Sequence, residues 1–121
     1  MTKALDGIRV IDMTHNQAGP ACAQILAWLG ADVIKLETPG KGDVARSQNN
    51  GELFFLSFNA NKRSLTLNLK SDEGKDLFRK LLAKSDVFLE NFAPGAVARM
   101  GFDFEALQKI NPRLIYATIK G

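Results

Sequence analysis

The sequence predicts an α/β fold, a Rossmann-like parallel sheet with flanking helices, and two observations support this prediction. Short β-rich runs alternate with stretches of helical periodicity along the 121 residues, an order typical of parallel strands joined by right-handed crossovers. The run VFLE (87–90) is almost wholly apolar, as expected of a strand buried on both faces of a sheet. Ligands of such sheets bind beyond the carboxyl ends of the strands, so we expect a functional site there.

The first elements form a β-loop-α-β unit. GIRVIDMT (7–14) predicts one strand and DVIKLE (32–37) predicts a second, because both are rich in β-branched residues. Between them, Pro20 suits the first turn of a helix, where its missing N–H needs no partner, and Gly30 suits the helix end. The apolar positions of this helix, which are expected to be buried, are Cys22, Ile25, Leu26 and Leu29.

The loop HNQAGP (15–20) is the first candidate binding element. It places Gln17 and free backbone N–H groups at a helix start, a position that favours phosphate groups. It holds one glycine where a dinucleotide fingerprint needs three, so it favours a phosphate-rich ligand other than NAD. Glu37 still stands near the place of a ribose-binding acid, which leaves a dinucleotide-binding module as an alternative. Asp12 is expected to cap its strand or to orient the loop, and His15 is expected to be structural.

A long polar loop, residues 38–52, follows the second strand. Loops of this length are usually functional or mobile. Within it, Asp43 and Arg46 are expected to order the loop through a local salt bridge rather than to contact substrate. The following run LFFLSF (53–58) is too short and too apolar for its secondary structure to be assigned.

Lys62 and Arg63 are interpreted as solvated residues of a turn. The run SLTLNL (64–69) then alternates leucines with polar residues, the period of a strand. Ser71 predicts the N-cap of a helix, since its hydroxyl can accept a hydrogen bond from the first turn. The apolar residues expected to face the core from this helix are Leu77, Phe78, Leu81 and Leu82.

After the strand at 87–90, the segment 91–101 predicts a short helix. Asp103 then predicts the cap of a last helix, which Asn111-Pro112 stops. RLIYATIKG (113–121) predicts a fifth strand with the character of an interior one. Nothing after it closes the sheet, so we expect residues 1–121 to be the N-terminal segment of a longer protein.

Composition excludes several function classes. The net charge is +3, and the 16 lysines and arginines are scattered, whereas a nucleic-acid interface needs a denser basic stripe. The single cysteine excludes an internal disulfide and suits a reducing cytoplasm. We expect no metal site, because no Cys/His spacing of a metal site occurs. We expect no membrane attachment, because no apolar run approaches transmembrane length.

Four blocks, in order along nearly the whole chain, carry a resemblance to a known family. They are LDGIRVIDMTHNQAGPACAQILAWLGADVIKLETPGKGD, NKRSLTLNLKSDEG, DVFLENFAPGAVARMGFDFEAL and NPRLIYATIKG. In these blocks the chain resembles the class III coenzyme A (CoA) transferases, most closely the formyl-CoA:oxalate CoA-transferase type. Two positions depart from the family pattern. Asn68 stands where an aspartate is usual, and Thr38 stands where oxalate-type members carry an arginine.

The resemblance implies transfer of CoA between carboxylic acids through covalent catalysis. An enzyme aspartate attacks the donor acyl-CoA to give a mixed anhydride and then carries CoA as an aspartyl-CoA thioester. That aspartate lies after the region matched here, so we expect the 121 residues alone to be inactive. The resemblance also implies an interlocked homodimer at full length, with acyl-CoA and a carboxylic acid as substrates and no tightly bound cofactor.

The resemblance implies a CoA-binding role for ten residues. Gln17 would also position the acyl intermediate, Lys70 would suit a phosphate, and Arg99 would pair with phosphate oxygens in a forked geometry. By position, the expected CoA contacts are Gln17, Ala18, Leu67, Asn68, Leu69, Lys70, Asn91, Phe92, Ala93 and Arg99. Two further alternatives stay open: an acyl-CoA racemase of the same superfamily, and a non-catalytic CoA-binding fragment.

Overall fold

The computed structural model describes residues 2–48 and 50–120. Five parallel strands form one sheet in the order β3-β2-β1-β4-β5. The strands are β1 (Arg9–Met13), β2 (Asp32–Glu37), β3 (Arg63–Thr66), β4 (Val87–Glu90) and β5 (Ile115–Thr118). The α helices are α1 (Ala18–Trp28), α2 (Gly51–Asn59), α3 (Asp72–Leu82), α4 (Ala96–Arg99) and α5 (Phe104–Ile110). The predicted α/β fold with a parallel sheet is therefore confirmed.

The sheet is buried on both faces because successive side chains of a strand point to opposite sides. Ile11 and Phe88 face α3, α4 and α5 in the larger hydrophobic cluster. Val10 and Leu89 face α1 in the smaller cluster. The chain proceeds outward from β1 to β3 and then returns to add β4 and β5 on the other side. The switch point therefore lies between β1 and β4, where loops diverge and leave a crevice.

Helix α1 packs on the sheet through a different stripe from the one predicted. Ala23 and Ala27 are fully buried against the sheet, whereas Ile25 and Leu29 are exposed and Leu26 is only partly buried. Cys22 is also exposed. The prediction for Cys22, Ile25 and Leu29 was wrong because the small alanine side chains let α1 approach the sheet closely. The larger apolar side chains are thereby turned outward.

Helix α3 confirms its predicted start and most of its predicted stripe. The Ser71 hydroxyl accepts a hydrogen bond from the Gly74 N–H at 3.1 Å. Phe78 and Leu82 are fully buried, and Leu81 packs against the core from a partly buried position. Leu77 is instead 54% exposed. The prediction for Leu77 was wrong because its position on the helix is rotated away from the face that contains Phe78 and Leu82.

Three segments differ in extent or type from their predictions. LFFLSF belongs to helix α2, and the long loop before it contains a 3-10 helix at Val44–Ser47. Strand β3 ends at Thr66, so Leu67 and Leu69 reach the core from a loop rather than from a strand. Strand β5 covers only Ile115–Thr118 and lies at the edge of the sheet formed by the described residues. Gly121, the last residue of the predicted fifth strand, lies outside them.

Among the described helices, none combines the length and the apolar character that crossing a bilayer requires.

Two leucines of α3, Leu77 and Leu82, provide a matched test of this packing. We expect Leu82→Ala to lower the free energy of unfolding by about 2–5 kcal/mol, because it removes a fully buried side chain and leaves a cavity. Leu77→Ala makes the same chemical change at an exposed position and should cost about 0.5 kcal/mol or less. Urea denaturation followed by circular dichroism measures both. Equal losses for the two variants would contradict the assignment of the buried face.

Candidate functional site

A cavity of about 610 Å3 opens at the carboxyl edge of the sheet, where the crevice was expected. Its walls come from the segments that follow β1, β2, β3 and β4. Its lining is mostly apolar and includes several polar side chains. The apolar lining includes Met13, Leu36, Leu67, Leu69, Phe92 and Met100, and the polar lining includes His15, Glu37, Lys41, Asn68 and Lys70. An apolar interior with a few polar groups is typical of a small-molecule site.

The structure brings together five of the ten predicted CoA contacts. Leu67, Asn68, Leu69, Lys70 and Phe92 all line the cavity. The other five do not line it. Gln17 and Ala18 are exposed at the start of α1, Ala93 is exposed after β4, and Arg99 is exposed at the end of α4. The roles of all ten residues stay predictions.

Asn91 lies beside the cavity and binds protein backbone. Its side-chain Oδ1 accepts a hydrogen bond from the His15 N–H at 2.9 Å, and its Nδ2 donates to the His15 carbonyl at 2.8 Å. The neighbouring Phe92 ring meets the His15 ring edge-to-face, with 4.7 Å between centroids. Asn91 and Phe92 thus join the loop after β4 to the loop after β1.

A layer of buried ion pairs supports the same edge of the sheet. Asp12 and Lys35 are neighbours on adjacent strands, and each is buried with a partner of opposite charge. Asp12 accepts from the Lys62 ammonium at 2.7 Å, and Lys35 donates to Asp43 at 2.7 Å. The Asp12 carboxylate also accepts from the Thr14 N–H at 3.0 Å. Asp12 therefore orients the loop, as predicted.

The charged residues of the turn and the long loop have other partners than expected. The Lys62 side chain is 2% exposed, so the prediction of a solvated turn residue was wrong. Its ammonium also donates to the Pro20 carbonyl and to Asn59 Oδ1, which offsets the cost of burial. Arg63 is exposed and pairs with Asp32.

Asp43 and Arg46 do not pair with each other. Asp43 binds Lys35, and Arg46 forms two hydrogen bonds with Glu37, at 2.8 and 2.9 Å. The predicted local salt bridge was wrong because the strand residues Lys35 and Glu37 lie beneath the loop and would otherwise be buried without partners. The loop is therefore attached to β2 by two ion pairs, one through Asp43 and one through Arg46.

Burial and hydrogen bonding together shift the pKa values of three groups in this layer. Burial alone would raise the pKa of Asp43, but hydrogen bonds from the Asn16 N–H, the Lys35 ammonium and the Ala45 N–H outweigh it and lower the pKa. The pKa of Glu37 is lowered in the same way, with burial opposed mainly by Arg46. Burial lowers the pKa of Lys62 despite the attraction of Asp12.

Some residues of this edge were not identified from the sequence. Lys35 interrupts the apolar residues in the middle of β2, and this interruption is the feature that could have indicated a buried ion pair. Lys41 gave no such indication, because an exposed lysine in a polar loop resembles any other. Within residues 2–48 and 50–120, no group of three or more His, Cys, Asp or Glu side chains is placed to hold a metal ion.

A family model described as CoA-transferase family III matches residues 5–121. The chain belongs to CoA-transferase family III. Among curated relatives of this family III chain, the formyl-CoA:oxalate CoA-transferase of Streptomyces avermitilis is 56% identical over 126 residues, which cover 100% of this chain and 31% of the relative. The protein of the same name from Afipia carboxidovorans is 54% identical, with 100% and 30% covered. The chain thus spans about 30% of the length of these relatives.

Solved structures of similar proteins agree with the fold of this family III chain. Rv3272 from Mycobacterium tuberculosis, in an orthorhombic crystal form, superposes with a TM-score of 0.93 at 42% identity, covering 98% of this chain and 34% of that one. A CAIB/BAIF family protein from Brucella suis gives a TM-score of 0.92 at 41% identity, covering 100% and 34%. In both cases the match is to about a third of the longer chain.

The lowered pKa of Glu37 predicts how stability depends on pH. Because the unfolded chain binds a proton at Glu37 more readily than the folded chain, the contribution of this group is full above its ordinary pKa of 4.5 and is lost as the pH falls through the lower folded value. We expect Glu37→Gln to remove part of this loss, so that its free energy of unfolding falls less steeply below pH 5 than that of the wild type.

The control is Glu52→Gln, the same change at an exposed position of α2. Its free energy of unfolding should follow the wild-type pH profile. Urea denaturation between about pH 6 and pH 3 measures all three proteins. A Glu37→Gln profile parallel to that of the wild type would contradict the assigned role of Glu37.

Proposed function

We propose that this chain is the CoA-binding N-terminal part of an enzyme that moves CoA from formyl-CoA to oxalate. The observation that carries the proposal is its 56% identity, over the whole chain, to a relative named formyl-CoA:oxalate CoA-transferase. The chain spans 31% of that relative. The activity, the substrates and the assembly of the whole protein are therefore part of this proposal. The enzyme would act in the cytoplasm as an interlocked homodimer.

The cavity supports the CoA-binding half of the proposal. CoA combines an adenine ring with a diphosphate, a ribose phosphate and a long pantetheine arm, so its site needs both apolar walls and cations. Leu67, Leu69 and Phe92 provide apolar surface, while the ammonium groups of Lys41 and Lys70 stand at the same cavity. Both lysines are exposed, so their charges are accessible to phosphates at the cavity mouth.

The proposed chemistry is double displacement at an aspartate outside the 121 residues. The aspartate carboxylate attacks the formyl carbon, the C–S bond breaks, and the CoA thiolate leaves. The thiolate then attacks the aspartyl carbonyl of the mixed anhydride and releases formate. Oxalate attacks the resulting aspartyl-CoA thioester, and the thiolate freed in this step attacks the oxalyl carbonyl to give oxalyl-CoA and the free aspartate.

Gln17 is the residue of this chain that we place at the reacting atoms. It is exposed at the start of α1, in the loop that follows the central strand β1. Its side-chain amide can donate a hydrogen bond to the oxygen that becomes negatively charged as each acyl carbon is attacked. The other proposed contacts of this chain hold CoA rather than take part in the displacement.

The direct test is incubation of the native-length protein with formyl-CoA and oxalate, followed by mass spectrometry of the CoA esters. We expect oxalyl-CoA and formate to form in equal amounts, and no transfer when oxalate is left out. Folded protein that transfers no CoA to any carboxylate, but exchanges the α proton of a branched acyl-CoA, would replace the proposal with the racemase alternative.

The two ends of α3 provide a matched test of CoA binding. Lys70 precedes the helix at the cavity, and the exposed Lys84 follows it at the opposite edge of the sheet. We expect Lys70→Ala to raise the Kd for CoA roughly three- to tenfold, because one ammonium–phosphate contact is lost. Lys84→Ala should change it less than about twofold.

Isothermal titration of native-length protein with CoA measures both variants, with NAD as the control ligand. Equal weakening by the two lysine substitutions would show a general charge effect and contradict the placement of a phosphate at Lys70.

A further inference from the structure

The backbone just before Gln17 is held by side chains from three other segments of the chain. The Thr14 N–H donates to Asp12, and the Thr14 carbonyl accepts from the Lys35 ammonium. Both polar groups of the His15 backbone bind the Asn91 side chain. The Asn16 N–H donates to Asp43 Oδ1 at 2.9 Å. Five successive backbone groups are thus bound before the chain enters α1.

Asn16 gives this loop its sharp change of direction. Its φ of +70° lies in the left-handed region, which asparagine adopts more readily than most other residues with a side chain. Asp43 is the group that receives the Asn16 N–H, and its carboxylate is fully buried. Asp43 therefore holds the last of the bound backbone groups, immediately before Gln17.

Asp43 also belongs to the wall of the cavity. Its second oxygen binds the Lys35 ammonium at 2.7 Å, and its own N–H donates to Glu37 at 2.7 Å. One side chain thereby connects the loop that borders the cavity with the loop that carries Gln17. If either loop moved, the Asp43 carboxylate could keep its hydrogen bonds to both loops only if the other loop moved as well.

We propose that Asp43 is a positioning residue for Gln17. It holds the Asn16 backbone, and through it the start of α1, so that the Gln17 amide faces the reacting acyl group. The kinetic part of this inference rests on the proposed CoA transfer, whereas the structural part does not.

A double-mutant cycle tests the kinetic part in the native-length protein. We expect Asp43→Asn to lower kcat for CoA transfer roughly 10- to 100-fold with a smaller change in KM, because misplacement of a reacting group acts on the chemical step. In a Gln17→Ala background, the same substitution should lower kcat by about twofold or less. Equal fold-losses in the two backgrounds would overturn the proposal, since they would show that Asp43 acts independently of Gln17.

Asp32→Asn is the matched control for the change of charge. Asp32 is also a paired carboxylate, bound by Arg9 and Arg63, but it lies at the amino edge of the sheet. Its substitution should leave kcat within about twofold of the wild type. If Asp32→Asn lowered kcat as much as Asp43→Asn does, the effect would reflect a general loss of ion pairing. That result would overturn the assignment.

Amide hydrogen exchange tests the structural part without any activity. We expect Asp43→Ala to accelerate exchange at the Asn16 amide roughly tenfold or more, because its acceptor is removed, with little change at the amide of the buried Phe78. Unchanged exchange at Asn16 in a folded Asp43→Ala variant would overturn the proposal. If the wild type transfers no CoA, the proposed function fails, and this measurement still decides whether Asp43 holds the loop.

Discussion

The buried ion pair between Lys35 and Asp43 is the constraint on which the carboxyl edge of this molecule depends. Lys35 lies on a central strand and is 2% exposed, so without a partner its charge would be very costly. The strand can keep this lysine only if the loop after β2 folds back and delivers Asp43. Once Asp43 is there, its other oxygen fixes Asn16, and the lysine itself fixes the Thr14 carbonyl. The electrostatic requirement of one side chain thus determines the course of two loops.

The strand order makes this arrangement useful. Because β1 lies between β2 and β4, the loops after these three strands leave the sheet side by side. Gly19 lets the start of α1 lie against the first of these loops, since a Cβ added there would come within 2.3 Å of Thr14 Cβ. The ionic layer lies under that helix start, and the alanines of α1 occupy the apolar half of the same face. On this side of the sheet, the alanines of α1 therefore stabilise the packing of the helix, and the ion pairs position the loop before Gln17.

Local sequence patterns predicted an element well where that element has one clearly apolar face. Ser71 was identified as a cap and Phe78 as a core residue because α3 has one polar and one apolar face. The pattern failed for α1. Alanine contributes little to the apolar periodicity of a sequence, yet its small side chain lets a helix pack closely on a sheet. The pattern failed for Lys62 because its partner Asp12 lies 50 positions away. It failed for Asp43 because its partners, Lys35 and Asn16, belong to other elements of the fold. Half of the expected CoA contacts meet at one cavity, and the pairings that hold its walls could not be read from local spacing.

The hydrogen bonds between His15 and Asn91 join residues that are 76 positions apart. Contacts of such large sequence separation require a long loop to be closed, which costs conformational entropy. The turn before Gln17 can therefore acquire its final shape only after β4 has docked beside β1. Local unfolding that detaches β4 would abolish the geometry at Gln17 while leaving the first strand, helix and second strand associated. The loop before Gln17 thus needs the assembled sheet as well as its own sequence, and a partly folded chain would have the sequence of the loop without its shape.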